Sequence, residues 1–391
     1  MEKYKLGEIS EFIRNGASIK QFDNADGYPI TRIETISNLK IDFEKMGYAN
    51  IYELGKYEDY LLKNGDILMS HINSDVHLGK SAVMEDDSKK IIHGMNLLCI
   101  RLKKEMANSK YMYYYFNHKL FRNKLSKIIK KSVNQASFSV TDLKKIDIEI
   151  PNIETQKKIV EVLNKAQSLI EKKKEQIDLL DKLVKSRFIE MFSNLNNENK
   201  LSLGDCTNFI DYRGKTPKLS EDGNIRMINA KSVGKGVFKY IDEYISEETY
   251  NSWMKRGFPN YGDILFVTEG HTFGNTCMIP KNVGKFAMGQ RVITIQGNKG
   301  IINNSFLYQY MQTLEFKIKI DKYKTGSSAQ GIRSKELQKI LVPIPPIELQ
   351  NEFAEFVTQT DSIRSKMEAS LSELEDNFNS LMQKAFKGEL F

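Results

Sequence analysis

Two stretches of the chain carry apolar residues at alternating spacings of four and three. In the first they fall at Ile159, Leu163, Ala166, Ile170, Lys173, Ile177, Leu180, Val184, Arg187 and Met191, with two polar interruptions. In the second they fall at Phe353, Val357, Thr360, Arg364, Met367, Leu371, Leu374, Phe378, Leu381 and Ala385, again with two interruptions. Neither stretch contains Gly or Pro, so each predicts a long helix with a coiled-coil seam. About 33 residues at about 1.5 Å per residue make each helix about 50 Å long. Pro151, Pro343, Pro345 and Pro346 punctuate the approaches to these helices, because proline continues neither strand nor helix.

The segments before the helices follow a different pattern. Gly65-Asp66-Ile67-Leu68-Met69 and Gly262-Asp263-Ile264-Leu265-Phe266-Val267 predict strands entered from a turn, and Leu97–Ile100 and Val292–Ile295 predict buried strands. Residues 111–129 and 306–320 are expected to be helical. The chain is therefore expected to be α+β. Residues 1–150 and 198–345 form two mixed globular domains, and residues 151–197 and 346–391 form the helices that separate them, pairing as an antiparallel coiled coil.

Those domains are two copies of one pattern. Leu6-Gly7-Glu8-Ile9 returns as Leu203-Gly204-Asp205-Cys206, and Gly65-Asp66-Ile67-Leu68 returns unchanged at 262–265, both offset by 197. Asp142-Leu143-Lys144-Lys145-Ile146 matches Glu336-Leu337-Gln338-Lys339-Ile340, and Ile150-Pro151-Asn152-Ile153-Glu154-Thr155-Gln156 matches Ile344-Pro345-Pro346-Ile347-Glu348-Leu349-Gln350, both offset by 194. Four matches in one order define an internal tandem duplication. A generic dimerising coiled coil explains one heptad helix but explains two copies, each behind a similar domain, poorly. Two such helices pair either within the chain or between chains, and covalent linkage favours the former.

Composition narrows the functional classes. The 391 residues, 40% hydrophobic and 28% charged, suit a globular protein of two or more domains. No apolar run approaches the roughly 20 residues that span a bilayer, and the first residues do not read as a signal peptide. Cys99, Cys206 and Cys277 are far apart and never in CxxC spacing, which fits a reducing cytoplasm and argues against a disulfide framework or structural zinc. The net charge of +8 points to an anionic partner. Ten basic residues lie between Arg101 and Lys131 against one acid, and eleven between Lys281 and Lys339 against three, whereas the last 41 residues hold four basic and eight acidic. The basic concentrations occupy equivalent places in the two halves.

Catalytic motifs are not found. The sequence has no GxxxxGK[ST] or GxGxxG phosphate loop, no HExxH, and no Asn/Asp-Pro-Pro-aromatic motif to hold a flipped base. His71, His77, His93, His118 and His271 form no metal-ligand spacing. A nuclease with scattered carboxylates would escape such a search. The aromatics among the basic segments (Tyr111, Tyr113–Phe116 and Phe121; Phe306, Tyr308, Tyr310, Phe316 and Tyr323) recur at helical spacing and are expected in the core.

Basic and amide side chains remain as candidates for DNA contact, through counterion release at phosphates and hydrogen bonding at base edges. In the first domain these are Lys20, Gln21, Arg32, Asn38, His71, Asn73, Lys127, Lys130 and Lys131. In the second they are Arg213, Lys215, Thr216, Arg226, Asn229, Lys231, His271, Arg291, Lys322, Lys324 and Arg333. His71 and His271 each follow a strand, which makes them either polar contacts at a binding surface or solvated loop residues. The run Gly326-Ser327-Ser328-Ala329-Gln330-Gly331 reads as a polar loop whose backbone is able to approach a phosphate. A shared frame with divergent loops would let two domains read two different words.

These features together resemble the DNA specificity (S) subunit of type I restriction–modification systems, over the full length. The resemblance rests on Leu-Gly-Glu/Asp opening each half, Gly-Asp-Ile-Leu in mid-domain, Ile-Pro-x-Ile-Glu-x-Gln before each helix, and Lys384-Ala385-Phe386-Lys387-Gly388-Glu389-Leu390 at the end. Arg213-Gly214-Lys215-Thr216-Pro217 also resembles a loop of that family, whereas the first half departs from it with Asn15-Gly16-Ala17-Ser18-Ile19. The resemblance implies two target-recognition domains, each binding half of a bipartite asymmetric double-stranded DNA site, with the helices as a ruler for the unread spacer. A rod of about 50 Å covers roughly one and a half turns of B-DNA. It further implies a non-catalytic chain that docks two methylation (M) subunits, with restriction (R) subunits joining through them. S-adenosylmethionine, ATP and magnesium would then be bound by those partners. The competing readings are a stand-alone endonuclease or methyltransferase-type enzyme, and a coiled-coil adaptor without DNA binding.

Overall fold

The computed structural model describes the chain apart from residues 24–25, 75–76, 132–135, 194–198, 213–215 and 327–329. It divides into two compact units, one of Met1–Lys174 with Ala369–Phe391 and the other of Glu175–Glu368. Arg213, Lys215 and the middle of the 326–331 loop lie outside the described residues.

The first unit is organised by a four-stranded antiparallel sheet in the order Ser10–Asn15, Leu97–Leu102, Ile67–Ser70, Ser81–Val83. Ile67 pairs with Ile100 and Val83 across it. Successive residues of a strand face opposite sides. Ile67, Met69, Leu98 and Ile100 accordingly enter a core with Tyr111, Phe116 and Phe121, while Leu68, Leu97 and Cys99 pack under Ile36 and Met46. Burial on both faces explains why the strands read as unbroken apolar runs.

The second unit repeats this sheet as Thr207–Asp211, Val292–Gly297, Ile264–Val267, Thr276–Met278. Its two faces divide in the same way: Ile264, Phe266, Ile293 and Ile295 on one side, Leu265, Val267 and Val292 on the other. A two-stranded ribbon closes each unit, Glu2–Lys5 with Asp147–Ile150 and Lys200–Ser202 with Leu341–Pro343.

Each repeated motif has a structural task. Gly65 and Gly262 turn the chain into the central strand at φ +94° and +81°, a region glycine enters at no steric cost. The following aspartate closes that turn by accepting a backbone N–H three residues earlier, Asp66 from Lys63 (2.8 Å) and Asp263 from Asn260 (2.7 Å). The final glutamine of each Ile-Pro-x-Ile-Glu-x-Gln run is fully buried. Gln156 donates through Nε2 to the carbonyls of Met106 (3.0 Å) and Pro151 (2.8 Å) and accepts through Oε1 from the Asn108 N–H (2.8 Å). Gln350 does the same with Ile301 (3.1 Å), Pro345 (2.8 Å) and Asn303 (2.8 Å). Each glutamine thus ties the first turn of a long helix to its globular domain.

The long helices are Ile153–Phe192 and Ile347–Lys387, and none of the twenty seam positions named above is exposed. In the first unit Ile159 and Leu163 share a core with Ala385 and Phe386, and Lys174 pairs with Glu375 at 2.7 Å. In the second, Phe188 and Phe192 pack on Phe353, and Arg187–Glu352 (2.9 Å) and Asp181–Arg364 (2.6 Å) link the helices. Rising numbers on one helix meet falling numbers on the other, so the pair is antiparallel and formed within one chain.

Residues 111–129 are not one helix but two, Ser109–Asn117 and Lys119–Leu125, followed by a 3-10 turn. The break is at His118, whose backbone is extended and whose ring nitrogen accepts the Leu120 N–H at 3.4 Å, so that it caps the second helix. Residues 306–320 likewise fall in Asn304–Met311 and Leu314–Tyr323, with Thr313 as the extended cap. Tyr111, Tyr114, Tyr115, Phe116, Phe121, Phe306, Tyr310 and Phe316 are buried, while Tyr323 is exposed.

Replacing Gln156 by Leu is expected to leave three backbone groups unmatched and to destabilise the fold by roughly 2–4 kcal/mol. Urea unfolding measures this, and a change near zero would show that those groups find other partners.

Candidate nucleic-acid interface

In the second unit several loops converge at one end of the four-stranded sheet through backbone hydrogen bonds. Thr268 N–H donates to Arg291 O (2.9 Å), Ile332 N–H to Thr268 O (2.9 Å), Gly270 N–H to Gln330 O (3.0 Å) and Gly289 N–H to Ile228 O (2.7 Å). This gathers segments 228–229, 268–271, 289–291 and 330–333. Of the expected DNA-contacting residues, His271, Arg291, Arg333 and Thr216 are exposed there, with Thr216 accepting a hydrogen bond from Gln290. Arg291 pairs with Glu269 at 3.0 Å.

Arg226, Asn229 and Lys231 form a neighbouring cluster whose polar groups are already engaged. The Arg226 guanidinium lies over the rings of Tyr244 (4.9 Å) and Tyr240 (5.5 Å) and donates to Ile241 O and Tyr244 Oη. Asn229 donates to Glu243 at 2.6 Å, and the Lys231 ammonium binds the same carboxylate, holding it below the usual range. Arg226 and Asn229 therefore build the loop, and Lys231 presents an exposed charge beside it. Lys322 and Lys324 are exposed at the end of Leu314–Tyr323, and Lys324 pairs with Asp321.

The corresponding end of the first unit is closed by Ala17 N–H to His93 O (2.8 Å), Met95 N–H to Ala17 O (3.1 Å) and Thr31 N–H to Ile92 O (3.0 Å). Gly16 and Gly94 lie back to back here: a Cβ on Gly16 would sit 2.1 Å from Gly94 O, so no larger residue fits without movement. Gln21 and Arg32 are brought together, Arg32 Nε donating to Gln21 Oε1 (3.0 Å) and its terminal nitrogens to Phe22 O and Asp23. Lys20 is exposed over the Phe22 ring. Asn73 joins Lys130 and Lys131 in a small sheet through Ala136 and Ser137, and Lys127 is exposed in the turn before it. Asn38 is placed elsewhere: its turn lies on the long helix, where Lys40 pairs with Glu171 (2.6 Å).

His71 is buried at 4% exposure beside Phe138, which overturns the reading of a solvated loop histidine. The basic segments are not continuous phosphate tracks either. Arg101 makes two 2.7 Å bonds to buried Asp66, Lys110 pairs with Glu85, and Arg122 and Lys124 donate to the carbonyls of Leu78 and Asp147. In the second segment Lys285 pairs with Glu247 and Lys319 with Glu315. These cations are engaged by carboxylates and carbonyls of their own unit, of which Asp66 is buried and Glu85, Glu247 and Glu315 are exposed. A count of charge along the chain does not reveal such pairing.

Asn96 and Gln290 belong to the loop ends but were not singled out from the sequence. A signal existed, since Gly94-Met95-Asn96-Leu97 and Gly289-Gln290-Arg291-Val292 align at an offset of 195. Among the described residues no group of three or more His, Cys, Asp or Glu side chains is placed to hold a metal ion. No helix there is long and apolar enough to cross a membrane.

Comparison with known proteins decides the family. The model of the type I restriction modification DNA specificity domain matches residues 1–179 and again 198–376. The chain belongs to this family. It is 30% identical over 374 residues to the putative type I restriction enzyme MjaX specificity subunit of Methanocaldococcus jannaschii, covering 93% of this chain and 87% of that protein. It is 24% identical over 161 residues to the EcoKI specificity subunit of Escherichia coli, covering 41% of this chain and 34% of that one. Two solved chains share the fold: the S subunit from M. genitalium (TM-score 0.57, 17% identity, 98% and 96% covered) and a chain from a structure described as the basis of complex assembly and conformational transition of the type I R-M system (TM-score 0.60, 15% identity, 100% and 98% covered). The chain is a type I specificity subunit, with one specificity domain in each repeat.

Burial holds the His93 imidazole down to about 4, with Nε2 bound to Leu97 O (2.9 Å). The unfolded histidine, near 6.5, binds a proton that the folded one refuses. Stability is therefore expected to be full above about pH 6.5 and to fall as pH drops from there toward 4. His93→Gln should flatten that fall in urea midpoints measured across this window, and an unchanged slope would show that other groups cause it.

Proposed function

We propose that this specificity subunit is the non-catalytic, DNA-reading chain of a type I complex, and that its two units read the two halves of one bipartite, asymmetric double-stranded site. The observation that carries this reading is that two sheets of the same strand order end in equivalent loops bearing different side chains. The same backbone frame presents Lys20, Asn73, Lys127 and Lys130 in one unit and His271, Arg291, Lys322 and Arg333 in the other. Frame residues position and loop residues specify, as the division between phosphate and base contacts requires.

The long helices act as the ruler between the two words. They run 40 and 41 residues, about 60 Å at about 1.5 Å per residue. They also dock two methylation subunits. Leu179 and Leu183, one turn apart and each 49% exposed, give part of the helix surface an apolar face of the kind partners cover. Restriction subunits join through the methylation subunits, and S-adenosylmethionine, ATP and magnesium are bound by those partners in the cytoplasm.

The test is to co-express the chain with its methylation subunit and map methylated bases by long-read sequencing. The expected outcome is a split motif of two short words around a fixed gap; a continuous word would overturn the two-unit reading. Inserting one heptad into each long helix should lengthen the gap by about three base pairs, since seven residues rise about 10 Å and one base pair about 3.4 Å. Both words should stay intact. An unchanged gap would show that the helices do not set it.

A further inference from the structure

Among the described residues only four non-glycine residues adopt a positive φ: Leu39, Asn50, Asn96 and Arg291. Thirteen glycines adopt it, as expected for a conformation that crowds any Cβ. Asn96 (φ 77°) and Arg291 (φ 68°) are not independent, because they occupy equivalent positions in the two repeats. Each follows a buried glycine and one further residue, and each immediately precedes an inner strand of its sheet, Leu97–Leu102 or Val292–Gly297. Both are exposed at the loop end described above.

The turn conformation is thus kept in both copies, while the residue that would suit it best is used in neither. Asparagine tolerates the left-handed region, but arginine has no such preference. Nor does the side chain recover the cost locally. The Arg291 side chain is 60% exposed and its partner Glu269 is 54% exposed, and an ion pair at that exposure contributes little. In the first repeat the position of Glu269 is taken by Ile72, so Asn96 faces no equivalent acid. The turn itself serves the fold, since the Arg291 carbonyl accepts the Thr268 N–H and the Asn96 backbone is bonded by His71. A side chain kept where glycine would be unstrained, and adding little to stability, marks a functional position.

We propose that this turn is the base-reading position of each unit, with Arg291 reading a guanine through O6 and N7, and Asn96 an adenine through N6 and N7. The two side-chain types match those two base edges by bidentate hydrogen bonding. Glu269 orients the guanidinium until DNA replaces it. The assignment rests on the DNA-reading function proposed above.

The experiment is Arg291→Gly in the chain assembled with its methylation subunit, measured by thermal unfolding and by binding to duplexes carrying every base at each motif position. Glycine relieves the backbone, so the melting temperature should stay or rise. Discrimination at one guanine of the second half-site should fall by about tenfold or more, and the first half-site should be unaffected. Arg291→Asn, which the turn also tolerates, should shift that position from guanine toward adenine. A lower melting temperature with an unchanged motif would make Arg291 structural and overturn the proposal. So would a uniform loss across all sequences with a shallower salt dependence, the mark of a phosphate contact. If the wild-type complex itself recognises no split motif, the DNA-reading function fails and this assignment with it; a split motif that survives Arg291→Gly sinks the assignment alone.

Discussion

The core of each unit is completed by a helix end that belongs to the other repeat. In the first unit Ala385 and Phe386, from the end of the second long helix, lie among Tyr111, Tyr115 and Phe121, with the Phe386 ring 5.5 Å from Tyr111 and 5.3 Å from Tyr115. In the second, Phe188 and Phe192, from the end of the first long helix, lie against Phe306 and Phe353 at 4.8–5.6 Å. Burying one such ring contributes roughly 1.5–3 kcal/mol, so neither repeat closes its apolar core from its own residues. This exchange gives each long helix two tasks, to continue its own seam and to cap the core of the other repeat. It also explains why the helices are uninterrupted by Gly or Pro over 40 residues, since a kink would displace the rings at the far end.

Much of this was legible in the sequence because the physics is periodic. The 4–3 spacing from Ile159 to Met191 and from Phe353 to Ala385 marks the seam, and an apolar tetrapeptide after Gly-Asp marks a strand buried on both faces. The helix breaks at His118 and Thr313 were not legible, because a capping side chain competes with helix continuation only once the next turn is in place. The Gln156 and Gln350 ties were visible as repeated letters, but their meaning depends on carbonyls some 50 residues away, at Met106 and Ile301. The candidate interface was the least legible part. Gln21, Arg32, Arg226 and Asn229 have the composition of base-reading residues and spend their hydrogen bonds on their own loops, a distinction made by partners and not by residue type. Asn96 is an ordinary surface asparagine until its backbone angle is known.

The two frames are equivalent without being identical, and the difference follows a rule. Asp66 is matched by the charged Arg101, whereas at the same place Asp263 is matched by neutral Gln296 (2.6 Å) and Asn304 (3.3 Å). Both solutions satisfy the carboxylate that closes the strand-entry turn, as a buried polar group requires. They differ electrostatically: burial raises the Asp263 carboxyl above its usual range, with only neutral groups opposing it. Hydrogen-bond count is thus held fixed while charge is allowed to drift.

The same logic separates the frame from the candidate interface. A position whose partners are buried backbone groups, such as Gln156, is fixed in residue type, because any substitute orphans those groups. A position fixed mainly in backbone conformation, such as 96 and 291, leaves no side-chain partner that any substitute would orphan, although its positive φ costs most residues some strain. The loop end of the sheet is built mainly from backbone-to-backbone bonds, Thr268 to Arg291 and Met95 to Ala17 among them, which hold the chain in place whatever the side chains are. A scaffold made this way can exchange one loop side chain for another without being redesigned. That property suits the proposed function, in which the same fold reads two different words in a single chain.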